Sequence, residues 1–132
     1  MADRSEQSIL NAGLVAASAL PQAFVWRNNT GQGFVGKEVP SAPGQFVKIE
    51  PGMVVLRDAR RVKFGLPGSG DVLGTVAGVP LAGEAKTATG RQRDQQVLFG
   101  RAWERAGGVY ILFRSPEEFV DKIQRATESR KG

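Results

Sequence analysis

The stretch that most constrains this chain runs from Gly68 to Gln96. It reads Gly-Ser-Gly-Asp71, an apolar run, Gly83-Glu84-Ala85-Lys86, and a Gly90-led turn into a segment with Gln95 and Gln96. Asp71 opens a predicted strand, Asp71 to Val76, and Ala77-Gly78-Val79-Pro80 folds the next strand back on it. Side chains alternate faces along a strand, so Glu84 and Lys86 share one face while Ala85 points the other way. The hairpin therefore brings Asp71 close to Glu84. Two carboxylates and one ammonium, with no histidine anywhere in the chain, fit a site for a hard divalent cation such as magnesium.

This D…E-x-K order, in its setting, resembles the VRR-NUC (virus-type replication-repair nuclease) family of the PD-(D/E)xK nuclease superfamily, in its small stand-alone phage or prophage type. The residues that carry the resemblance are Trp26-Arg27-Asn28-Asn29-Thr30-Gly31, Phe64 to Asp71, Glu84-Ala85-Lys86-Thr87 with Gly90, Gln96, and Gly107-Gly108. The match runs from about Ser5 to Phe119, most of the chain. A lone E-x-K is common by chance, whereas a G-x-x-D ahead of it and a glutamine ten residues after the lysine make the ordered set specific.

The resemblance implies a restriction-endonuclease-like α/β core of order αβββαβ, with a mixed sheet flanked by helices. It also implies hydrolysis of DNA phosphodiester bonds with Mg2+ or Mn2+, and a homodimer acting on branched DNA such as Holliday junctions in DNA repair. Asp71 and Glu84 would be the central metal ligands, joined by the backbone carbonyl of Ala85 and by Glu6 at the start of the first helix. Lys86 would orient the attacking water or stabilise the transition state, more naturally as an electrostatic aid than as a base. Gln96 would touch that water or the scissile phosphate. One departure stands out: Arg93 occupies the position where the family often has a small capping residue.

At 132 residues the chain is long enough for one compact domain and too short for two, so a single domain over 1–132 is expected, with a core of about 5–125 and a frayed tail at 127–132. No apolar run approaches the roughly 18 residues of a membrane span. Met1 to Glu6 lacks the order of a signal peptide. Cysteine is absent, which removes disulfides and thiolate metal sites. The lack of histidine removes histidine general bases and the usual zinc hydrolase centres. The expectation is a soluble cytoplasmic protein, in the bacterial host cytoplasm if phage-encoded. Net charge is +5, and twelve of the eighteen basic residues are arginine, a balance suited to a polyanion gripped in two-point phosphate contacts.

Asp3 to Leu20 reads as an amphipathic helix capped by Asp3 with Glu6 in capping-box register, burying Ile9, Gly13, Ala16 and Leu20 and stopped by Pro21. Ala23 to Trp26 reads as a short strand. Arg27, Asn28 and Asn29 follow, either as turn chemistry or as nucleic-acid contacts. Gly33 to Gly52 is a Gly- and Pro-rich excursion whose best strand candidate is Gln45 to Ile49. Met53 to Arg57 and Arg60 to Phe64 read as two strands turning at Asp58-Ala59, and Arg57, Arg60, Arg61 and Lys63 form a basic patch for a DNA backbone.

Leu66 to Gly70 is a tight glycine-rich approach to Asp71, and its glycines would leave room for a metal or a nucleic-acid backbone beside the acid. Ser69, Arg91 and Arg93 complete the candidate DNA contacts. Gln92 to Ala106 reads as a helix with Phe99, Ala102, Trp103 and Ala106 inward, helped by Leu98. Val109 to Phe113 reads as the central strand of the sheet. A last helix is capped by Ser115, with Pro116 at its first turn, and runs to about Arg125. Two other classes remain open on sequence: a nuclease without junction preference that nicks DNA or trims flaps and ends, and an inactive basic DNA-binding module.

Overall fold

Ser5 starts the first helix, α1 (Glu6–Ser18), its hydroxyl accepting a hydrogen bond from the Ser8 amide at 3.1 Å. The expected cap, Asp3, lies outside the described residues. These are residues 5–39, 44, 46 and 48–130 of a computed structural model. The chain divides into two compact units, one formed by Met1–Asn29 with Leu66–Gly132 and the other by Thr30–Gly65.

The first unit is α/β. Strands β1 (Ala23–Arg27), β4 (Val72–Val76), β5 (Val79–Ala85) and β6 (Val109–Phe113) form a mixed sheet in the order β1-β4-β5-β6. The first two pairings are antiparallel, and β5 with β6 is parallel. A parallel neighbour needs a crossover, and helix α2 (Asp94–Arg105) supplies it. Helix α3 (Pro116–Ser129) follows β6. The β4–β5 turn has only Ala77 and Gly78, both at positive φ (50° and 79°), the two-residue geometry that matches strand twist.

One face of the sheet is apolar except at the end of β1, where Arg27 pairs with Val72 and reaches Gln7 of α1. Val72, Val76, Leu81, Ala85, Ile111 and Phe113 pack there against Ile9, Leu10 and Ala17 of α1 and Phe119 and Ile123 of α3. The Phe113 and Phe119 rings stack with centroids 4.0 Å apart. On the other face α2 packs towards β6, where Phe99 meets Tyr110 edge-on at 6.0 Å. Gly100 lets α2 approach that ring, since a Cβ there would sit 3.0 Å from it.

Several expectations change. β6 lies at the edge of the sheet, and β4 and β5 hold the centre. On α2 the covered positions are Gln96, Val97, Phe99, Gly100 and Trp103, whereas Leu98, Ala102 and Ala106 are exposed. The tail is helical through Ser129, and there the Thr127 and Ser129 hydroxyls donate to the carbonyls of Gln124 and Ala126. The Arg130 guanidinium then donates to the Gly107 carbonyl at 2.8 Å. The last two residues of the expected frayed tail, Lys131 and Gly132, lie outside the described residues.

The second unit changes more. The two strands expected around Asp58-Ala59 are one continuous strand, β3 (Val55–Phe64), paired antiparallel with β2 (Gly31–Val39). Asp58 takes a positive φ of 54°, and the register shifts between Val35 and Lys37 opposite it, so the expected turn is a bulge inside a ladder. Of the strand expected over Gln45 to Ile49, Gln45 and Val47 lie outside the described residues, and Phe46, Lys48 and Ile49 are not in a strand. Within this ribbon Lys37 pairs directly with Arg57, and the Arg61 guanidinium lies 5.3 Å from the centre of the Phe34 ring. Both of its faces are largely exposed.

Candidate active site

Asp71 sits one residue ahead of β4. Because Val72 pairs with Gly83, the antiparallel ladder carries Asp71 opposite Glu84. The Asp71 carboxylate accepts a hydrogen bond from the Ala85 amide at 2.9 Å, which ties it to the end of β5. Its own carbonyl accepts from the Asn28 amide at 2.8 Å. The Asn28 side-chain amide donates to the Ser69 hydroxyl at 2.8 Å and to the Gly70 carbonyl at 2.9 Å. Gly68, at φ 80°, leaves room for the Gln95 backbone, which a Cβ would meet at 2.5 Å. The space expected there for a ligand is therefore filled by protein main chain.

Glu84 and Lys86 are both buried, with 1% and 4% of their surface exposed. The Lys86 Nζ lies 3.5 Å from Glu84 Oε1. The Tyr110 hydroxyl donates to the other oxygen, Glu84 Oε2. This contact follows from register: Tyr110 pairs with Ala82, so it lies on the same sheet face as Glu84, one step away on β6. After Lys86, the Thr87–Gly90 turn is fixed by the Arg114 guanidinium, which donates to the carbonyls of Thr87 and Gly90.

Burial raises the proton affinity of both acids. At Asp71 the loss of solvent dominates, opposed by the Ala85 amide, reinforced by the charge of Glu6 and reduced by Lys86 and Arg27. At Glu84 desolvation again leads, opposed by the Tyr110 hydroxyl and Lys86, and Asp71 adds repulsion. The Tyr110 hydroxyl is itself pushed up by burial and by Glu84. Two carboxylates thus face a single buried ammonium, and a cation would relieve the excess negative charge.

Asp71, Glu84, Lys86 and Ala85 are therefore brought together. Glu6 is exposed in the first turn of α1, and its charge is felt at Asp71. Among the described residues no group of three or more acidic, histidine or cysteine side chains could hold a metal ion, so Glu6 is not assembled as a third acidic ligand. Gln96 turns its Oε1 to the Arg93 amide at 2.8 Å and closes the start of α2. Arg93 has no acceptor to return that bond, which leaves half of a capping box.

Arg27 donates to Gln7 Oε1 at 2.9 Å, and Asn28 and Ser69 are engaged with each other. Asn29, Arg91 and Arg93 are exposed, as are Arg57, Arg60, Arg61 and Lys63 on the ribbon of the second unit. Comparison with protein-family models, curated proteins and solved structures finds no match for this chain.

Tyr110 is the site residue that sequence reasoning missed. It stands within Val-Tyr-Ile-Leu-Phe, an apolar run that reads as core, and its hydroxyl was the available signal. Only the β5–β6 register shows that this hydroxyl meets Glu84. No helix among the described residues is long and apolar enough to cross a membrane.

Proposed function

We propose that this protein is a divalent-metal-dependent endonuclease that hydrolyses phosphodiester bonds in branched DNA. The observation that carries the reading is the buried Glu84–Lys86 pair set beside Asp71 at adjoining strand ends. Three charged groups at the edge of a core are costly to keep there without a task. The element order α1, β1, β4, β5, α2, β6 also agrees with the restriction-endonuclease-like core that the sequence resemblance implies.

Asp71, Glu84 and the Ala85 carbonyl would hold Mg2+ or Mn2+. Two carboxylates with the remaining positions left to water and phosphate oxygen is a usual arrangement for magnesium. When bound, the ion would lower the pKa of a coordinated water and neutralise charge on the phosphate. Lys86 places its ammonium beside Glu84, where it can orient the water or stabilise the phosphorane-like charge of the transition state. Tyr110 fixes the second Glu84 oxygen and so sets the direction of the carboxylate. Basic side chains, among them Arg91 and Arg93 after the β4–β5 hairpin and Arg57, Arg60, Arg61 and Lys63 on the ribbon, supply phosphate contacts. A homodimer would offer two such sites to the two strands of a junction.

The test is a panel of labelled linear duplex, flap and four-way junction, each incubated with Mg2+, with Mn2+ and with chelator. Junction cleavage that needs metal is the expected result. Equal cutting of every substrate removes the junction preference, and binding without any cleavage removes the enzyme.

A further inference from the structure

The sheet face that carries Asp71 and Glu84 continues onto the edge strand β1. There Trp26 pairs with Leu73 and Phe24 with Thr75. Asp71, Leu73 and Thr75 alternate onto one face of β4 and its lead-in, so Trp26 lies diagonally next to Asp71, at a spacing of roughly 7–8 Å between backbones. Helix α2 packs on this face at its β6 side, the opposite edge from β1. Phe24 and Trp26 are consequently open, at 73% and 50% exposure. Their rings meet edge to face at 5.9 Å, which leaves ring surface available to a third flat group.

Large aromatics on a solvent-facing strand are unfavourable as isolated surface, and their position beside the acids points to a ligand. The chain is cationic, at +5, and Arg91 and Arg93 stand exposed between β5 and α2 in the same unit, so the ligand that fits is anionic along its length and flat in its side groups. Nucleic acid with unpaired bases meets both conditions, because stacking uses the ring faces that neighbouring base pairs cover in a duplex. We infer that Phe24 and Trp26 form a stacking platform for an unpaired base, which holds a single-stranded segment of the substrate next to Asp71 and Glu84. This inference rests on the nuclease reading for its substrate and goes beyond it by naming a base-binding subsite.

Trp26 and Trp103 are the two tryptophans, so a Trp103→Phe background makes Trp26 the only indole reporter. In chelator, which prevents cleavage, that protein is titrated with oligo(dT), with an abasic strand of the same length and with blunt duplex. Oligo(dT) should quench Trp26 fluorescence, and the other two should not. In the otherwise unchanged protein, Trp26→Leu should weaken oligo(dT) binding about tenfold, as expected for loss of one stacked base. The abasic strand should bind both proteins alike, and Trp26→Phe should restore most of the oligo(dT) affinity.

Equal affinity of wild type and Trp26→Leu for oligo(dT), or equal quenching by the abasic strand, overturns the platform. So does unchanged fluorescence with oligo(dT) together with a Trp26→Leu protein that has lost a dimer seen in the wild type, since the patch would then be a subunit contact. The two readings fail separately. Quenching and the Trp26 effect without cleavage of any strand would remove the nuclease and keep the platform, whereas metal-dependent cleavage with no Trp26 effect would do the reverse.

Discussion

The two faces of the four-stranded sheet follow opposite rules. One is closed by α1 and α3 over an apolar core that ends in the Phe113–Phe119 stack, with Arg27 at its β1 margin. The other carries Asp71, Glu84 and Tyr110 and leaves Phe24 and Trp26 in solvent. The same strands supply both, since alternation sends Ala85 one way and Glu84 the other. On the proposed reading, apolar side chains on the first face should matter for folding alone, and the charged groups on the second for chemistry as well.

The sharpest break of this contrast is Glu84→Ala or Lys86→Ala. Either should lower metal-dependent cleavage by about a thousandfold, the scale of losing a main electrostatic group, while DNA binding in chelator stays within a few-fold. Near-normal cutting, measured on the junction substrate, would defeat the site assignment. On the closed face, Phe119→Ala should cost about 3–5 kcal/mol in denaturant unfolding, with activity per folded molecule unchanged.

The buried pair offers a subtler test. Lys86→Met alone strands a buried carboxylate and should cost about 3 kcal/mol, whereas Glu84→Leu with Lys86→Met should recover most of that loss. A double variant no better than the single one would mean that the pair is needed for folding itself.

Proton linkage gives a smaller effect. Asp71 and Glu84 have raised folded-state proton affinities, so the folded protein binds protons more readily than the unfolded chain. Their contribution to stability is therefore full below the ordinary carboxylate range and is lost as pH rises through the raised values. In chelator, the melting temperature of wild type relative to Glu84→Gln should fall from about pH 4 towards neutrality, and Mg2+ should reverse the fall. The smallest change expected is in Tyr110→Phe, which frees one Glu84 oxygen and should reduce cleavage about tenfold at unchanged DNA affinity.

Asp71, Glu84 and Lys86 were legible because a tight turn and strict alternation bring them together through local rules alone. Ser115 and Pro116 marked the start of α3 for the same reason. Tyr110 was not legible, since its meeting with Glu84 depends on a parallel pairing across the whole of α2, which no local pattern encodes. The local bond of Gln96 was not legible either: its Oε1 accepts from the Arg93 amide and closes the start of its own helix. The long β2–β3 pairing was hidden as well, because Gly33 and Gly36 weaken the strand signal and the bulge at Asp58 imitates a turn.

The bonds from Asn28 to Ser69, Gly70 and Asp71 join the chain just before Thr30 to the chain just after Gly65. They act as a clasp at the root of everything between. Loop length adds only slowly to the entropy of closing such a clasp, so a longer segment there should cost the clasp little. A change of length between Thr30 and Gly65 should therefore leave the Asn28 bonds, and with them Asp71, in place.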